Sequence, residues 1–295
     1  MTIQNQDEIW PIDPNTIEMS LEEIEYLNSI KERIPRLGRR DSLPHTNQIE
    51  YIGSVLKANF PNDTVLTDLW HYFQVGNYIE KFVPDIAFYK DFKLDNLIKS
   101  YKSIEHNNKI PLVVINMMSH STWKNDVSEI VQKCLRVGIA FYIIYTMYSI
   151  DVEENNPPFL RIYEYNEERG EYDITEIREY AKYEEKEEID ESKIYSNERL
   201  PFRVGLEKTL GKSDGERVSR LLIIDKKELK KLLSMEEIEI KKAKEAEYKA
   251  EEERKKVEEE RKKAEEERKK REEAENQIKK MEEILNKYRQ KFGNI

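Results

Sequence analysis

Asp85 is the acid whose setting most needs explaining. It follows Pro84 inside FVPDIAFY, between apolar residues. A carboxylate on such a stretch is costly to bury unless it is solvated, paired or bound to a metal ion. Asn116 sits late in the apolar run IPLVVINMMS, Asp68 lies in TVLTDLWHYF, and His45 stands near the start of an expected helix. Asp126 and Lys133 fall on a second helical stretch, with Lys124 two residues before Asp126. Taken singly, each has an ordinary explanation. Asp68 and Asp126 can cap or hydrogen-bond, and His45 can sit on the surface. The single cysteine, Cys134, lies on an apolar helical stripe and reads as a buried structural thiol rather than a nucleophile.

The elements that must position these groups run from Phe82 to Thr146. IPLVVIN and IAFYIIY are short and rich in β-branched and aromatic residues, which suits strands buried on both faces. Between them Val127, Ile130, Val131, Cys134 and Leu135 recur at helical spacing. Ser121, Thr122 or Asn125 can cap that helix, and Gly138 stops it. Strand, crossover helix and strand make a right-handed βαβ unit. Upstream, Ser20 and Glu23 form a capping box for a helix that Pro35 ends, and a second helix is expected from about His45 to Asn59. TVLTDLWHYF reads as one strand, and 95–103 as helical. Downstream, FLRIYEYN and EYDITEI flank a glycine turn as a hairpin, and PFRVGLE and VSRLLIID read as two further strands.

The last 60 residues differ in kind. From Glu236 onward, 19 basic and 19 acidic side chains cancel, and neither glycine nor proline occurs before Gly293. At about 1.5 Å per residue, a helix from Met235 to Lys291 is a rod of roughly 80 Å. One heptad position holds Ala250, Val257, Ala264, Arg271, Ile278, Leu285 and Phe292. Its partner position holds Glu253, Glu260 and Glu267 before turning apolar at Ala274, Met281 and Tyr288. Only the final stretch therefore offers a coiled-coil seam. The middle is a self-supporting charged helix, with glutamates four residues before Lys or Arg.

Three regions follow: an extension over 1–40, a globular α/β domain over 41–235, and a charged helical rod over 236–295. The net charge of −10 arises mainly in 164–191, where 13 acidic face four basic side chains. The near-neutral remainder lacks the basic footprint of a dedicated nucleic-acid binder. No stretch approaches the roughly 20 apolar residues of a membrane span. A polar N-terminus without a signal pattern and the lone cysteine lead us to expect a cytoplasmic protein with no membrane partner.

Residues 41–146 resemble the Uma-type restriction endonucleases, a branch of the PD-(D/E)XK nuclease superfamily. The matching pieces are the His45 helix, TDLWHYFQVGN, VPDIAFY, PLVVINMMSHST, NDV and LRVGIAFYIIY. FLRIYEYNEERGEYDI, RLLIIDKKELKKLLSMEE and the heptad tail extend the resemblance to the C-terminus. It implies a restriction-endonuclease-like core with a central mixed sheet and flanking helices. The implied chemistry is Mg²⁺-dependent DNA phosphodiester hydrolysis, with acids holding the metal and a lysine polarising the nucleophile. Asp85 matches the aspartate of the PD motif. Asn116 stands where the family has a glutamate, as in VVEVLSPST. Asp126 matches a helical Asp, but the lysine expected four residues on is Ile130, and the tyrosine after that is Cys134.

The expectation is a catalytically degenerate nuclease fold acting as a binding or assembly module, through self-association of the tail or its grip on another protein. The alternative is an active Mg²⁺ endonuclease using Asp85, Asp68 and Lys133, with Asn116 as a neutral metal ligand and DNA as the partner.

Overall fold

A computed structural model describes residues 43–94, 96–119, 122–146, 158–184, 186–210 and 217–293. The helix expected over 21–34 lies outside the described residues. By internal packing the chain divides into two units, Met1–Met235 and Glu236–Ile295.

The first unit is mixed α/β, as the apolar runs imply. Helix α1 (Leu43–Asn59) leads into β1 (Thr64–Thr67), β2 (His71–Val75), β3 (Tyr78–Phe82), β4 (Ile86–Tyr89) and the short β5 (Tyr101–Lys102). Strand β6 (Val113–Met118) precedes two short helices, α2 (Trp123–Val127) and α3 (Glu129–Val137), and then β7 (Phe141–Thr146). The hairpin β8 (Leu160–Asn166) and β9 (Glu171–Ile177) follows, then β10 (Lys182–Tyr183), β11 (Phe202–Leu210) and β12 (Arg217–Asp225). The main sheet has the order β1-β4-β6-β7-β8-β9. It is mixed: β6 and β7 run parallel, as a βαβ crossover requires, and the other pairs are antiparallel. Two three-stranded sheets, β3-β2-β5 and β10-β11-β12, complete the unit.

The central strands are buried on both faces, which explains why they read as continuous apolar runs. Period-two alternation splits them between two cores. Val113, Ile115 and Met117 pack against Ile49, Ile52 and Leu56 of α1 and against β11 and β12. Val114 and Met118 face the other way, toward Val127, Val131 and Cys134 of the crossover and Phe73 and Phe82 of the small sheet. Asn116 belongs to this second set by alternation, so its amide points toward the crossover helices.

Several local expectations change. TVLTDLWHYF is two strands in two different sheets, because the chain turns at Asp68 with φ 47°. Aspartate tolerates that left-handed conformation better than a bulky residue does. Asp68 thus lies in a turn, where its N–H donates to the Asp85 carbonyl at 3.1 Å. The crossover helix is broken at Ser128 (φ −127°, ψ −81°) into α2 and α3. Gly138 ends α3 as expected: its left-handed backbone (φ 82°) lets its N–H reach the carbonyls of Cys134 and Leu135. No α-helix forms at 96–103: Tyr101 joins β5 and is fully buried among aromatic rings, and a single 3-10 turn follows at Ser103–His106.

The second unit is helix α4 (Met235–Phe292), 58 residues long. Ion pairs four residues apart run along its middle: Glu251–Lys255, Glu258–Lys262, Glu265–Lys269 and Arg268–Glu272. Among the described residues no helix is long and apolar enough to cross a membrane.

Candidate functional site

The register of β4 and β6 builds the centre of the site. Ile86 lies opposite Ile115, so Asp85 meets Asn116 where the regular ladder ends. Side chains take over the pairing there. The Asp85 N–H donates to Asn116 Oδ1 at 3.1 Å, and the Met117 N–H donates to Asp85 Oδ2 at 2.6 Å. Across the crossover, Asn116 Nδ2 donates to Asp126 Oδ1 at 3.1 Å. Thr122 Oγ1 donates to Asp126 Oδ2 at 2.8 Å and lies 2.8 Å from Ser119 Oγ. Asp85, Asn116 and Asp126 are each 5% exposed or less.

Chemistry fixes the orientation of the Asn116 amide. A backbone N–H only donates and an ionised carboxylate only accepts, so Oδ1 must face Asp85 and Nδ2 must face Asp126. A glutamate at this position would bring a carboxylate against Asp126. The asparagine instead joins sheet to crossover helix with no added charge. Tyr142 extends the network by donating its hydroxyl to the Asp126 carbonyl at 3.0 Å. Burial, and then the negative charge of Asp126, push the Tyr142 phenol well above its usual range, so it stays a neutral donor.

These groups line a cavity of about 480 Å³. Asp85, Asn116, Asp126, Ile130 and Lys133 are among its lining residues. Asp68 is not among its lining residues and is exposed on its turn. Lys133 lines the wall but is held by Glu129 Oε1 at 2.6 Å, one helical turn away. Lys124 lies over the Trp123 ring instead, 5.9 Å from its centroid. Thr122 precedes α2 but does not cap it, since its hydroxyl serves Asp126.

His45 does not take the surface position that is one reading of it. It is 5% exposed, and its Nε2 lies 3.7 Å from Asp85 Oδ2, close enough for an ion contact when the imidazole is protonated. Two further cavity residues, Trp70 and Lys81, escaped sequence reasoning because only the β2–β3 hairpin brings them to the wall. Thr122 and Asp126, one helical turn apart, carried a local signal for their bond. Cys134 is fully buried and burial pushes its thiol well up, which suits a packing role.

The oxygens that a Mg²⁺ ion would use at this site are engaged in hydrogen bonds within the network. That ion demands near-octahedral oxygen coordination. Here the Asn116 carbonyl is committed to the Asp85 N–H, and both Asp126 oxygens already accept hydrogen bonds. Among the described residues no three His, Cys, Asp or Glu side chains are grouped to hold a metal ion.

No protein-family model matches the chain. No curated protein matches it either. Among solved structures, the chain is similar to the crystal structure of a candidate nuclease belonging to DUF820 from Anabaena variabilis ATCC 29413. The identity is 15% and the TM-score 0.30, over 46% of this chain and 67% of that one. A likeness of that extent does not establish a family.

Proposed function

We propose that the first unit is a restriction-endonuclease-like domain that does not cut, and that the protein works as a binding and assembly module through its helical tail. The observation that carries this reading is the Asn116 amide bonded between the Asp85 N–H and the Asp126 carboxylate. It occupies with a neutral group the place where the Uma-type pattern has a metal-binding glutamate. Ile130 in the lysine position adds to it, as an alkyl side chain has no charge to offer a phosphate. In this reading the domain binds a partner or, weakly and without cleavage, DNA. The tail supplies the contact with a second copy or another protein.

One observation favours the active alternative: Asp85, Asn116 and Lys133 line the same cavity. Asp68 stands off that cavity, and Lys133 is already ion-paired. The test is calorimetric titration of Mg²⁺ and Mn²⁺ into the full chain and into Asp85→Ala, with duplex DNA incubated in parallel. The expected result is no saturable binding that Asp85→Ala removes, and intact DNA. A site lost with Asp85→Ala, or Asp85-dependent cleavage, would overturn the reading.

A further inference from the structure

Helix α4 changes character near Ala274. Before it, each heptad is dominated by Glu, Arg and Lys with a single apolar position at Ala250, Val257 and Ala264, and ion pairs four residues apart run within the helix from Glu251 to Glu272. After it, Ile278, Met281, Ile284, Leu285 and Tyr288 form one stripe, and each is more than half exposed. An exposed apolar stripe of that size on a helix fits a partner helix.

We infer that a second copy of this chain covers it, running antiparallel over residues 274–292. This rests on the tail-mediated assembly proposed above and specifies its partner and direction. In an antiparallel pair, each seam position meets the other seam position of the partner helix. Setting Ile278 of one copy against Tyr288 of the other also sets Met281 against Leu285. Every central layer is then apolar. The same register brings Ile284 against Ile284 beside the two-fold axis, and Glu275 against Arg289 twice. One like-charged contact, Glu282 with Glu282, lies on the solvated flank of the axis, where it is screened.

The parallel, in-register pairing is poorer. It sets Ile284 beside Arg289 and leaves an apolar side chain outside the seam. It also drives Arg271 toward Arg271 and Glu267 toward Glu267 in successive seam layers. In the antiparallel arrangement the two charged segments leave in opposite directions and never meet. The stripe is therefore wider than a parallel seam needs and complementary to its own reverse.

The full chain tests this by light scattering and by disulfide trapping. Native Cys134 is buried and serves as the background control. The expected results are a dimeric mass and a crosslink when Glu275→Cys and Arg289→Cys proteins are mixed. Ile284→Lys, which puts two ammonium groups beside the axis, is expected to give a monomer with unchanged far-ultraviolet circular dichroism. A monomeric or higher-order wild type would overturn the proposal. So would a crosslink formed by Ala274→Cys alone, which only a parallel pair brings together. That last outcome leaves the non-cutting domain reading intact, whereas Asp85-dependent cleavage would sink that reading and leave the dimer standing.

Discussion

The cavity floor and the middle of α4 are both dense in charged and polar groups, and they use them in opposite ways. At the cavity floor, Asp85, Asn116 and Asp126 are withdrawn from water, and hydrogen bonds at 2.6–3.1 Å join them to one another and to neighbouring donors. Along α4 the ion-paired side chains of Glu258 and Lys262 remain 69% and 71% exposed. Water can replace any partner in α4. Nothing equivalent stands in reserve at the cavity floor, where a lost partner leaves a desolvated group. Polar interactions at the cavity floor are therefore expensive to break, while those of the rod are nearly interchangeable.

Asn116→Asp should break this contrast most severely. It places a second carboxylate where the amide donated to Asp126 at 3.1 Å. A loss of about 3–5 kcal/mol in urea unfolding is expected, the usual result of leaving a buried charge uncompensated. A loss below about 1 kcal/mol would show that water reaches the network. Thr122→Val removes one donor from Asp126 and keeps the shape. About 1–1.5 kcal/mol should be lost in the same assay, and no change would mean that Thr122 is incidental.

Glu176 lies between the two regimes. Its carboxylate faces the buried Arg161 at 2.6 Å and the half-buried Arg178 at 2.7 Å, and it is 23% exposed. Burial alone would raise its pKa, but the bonds from Arg161 and Arg178 outweigh burial and lower it. A depressed carboxylate contributes stability above its unfolded pKa of about 4.3 and loses it as pH falls through the folded value. Glu176→Gln should therefore flatten the acid side of the stability–pH curve, and a curve parallel to wild type would refute the linkage. The smallest effect is expected in the rod. Lys262→Gln breaks one exposed pair and should cost no more than about 0.5 kcal/mol, with helicity by circular dichroism almost unchanged. A large loss of helicity would show that the rod depends on more than local pairs.

Much of the fold could be read from local pattern. The parallel β6–β7 unit, the β8–β9 hairpin and the existence of β11 and β12 as strands follow from apolar runs and turn residues, because strand propensity and turn chemistry act over a few residues. The misses were positions where tertiary contact overrode that signal. TVLTDLWHYF had to divide because its halves pack in different sheets, with a turn at Asp68. Residues 96–103 gave up helical polarity to place Tyr101 in an aromatic cluster. His45 became buried because α1 lies across the main sheet, a fact that its neighbours in the sequence do not encode.

The same division holds for the candidate site and the tail. Sequence alone determined that α4 is a helix, that its positive and negative charges cancel, and that its apolar stripe begins near Ala274. Those properties depend on residues three to seven positions apart, and helical geometry supplies the rest. Sequence also marked Asp85 and Asn116, since a polar residue inside an apolar strand must have a partner. Which partner was a matter of register. Only the pairing of Ile86 with Ile115, and the approach of α2 to β6, decided that Asn116 bridges Asp85 and Asp126 and that Asp68 stays outside. Those bonds join groups 10 to 31 residues apart, and distance along a chain carries no information about distance in space until the sheet has formed.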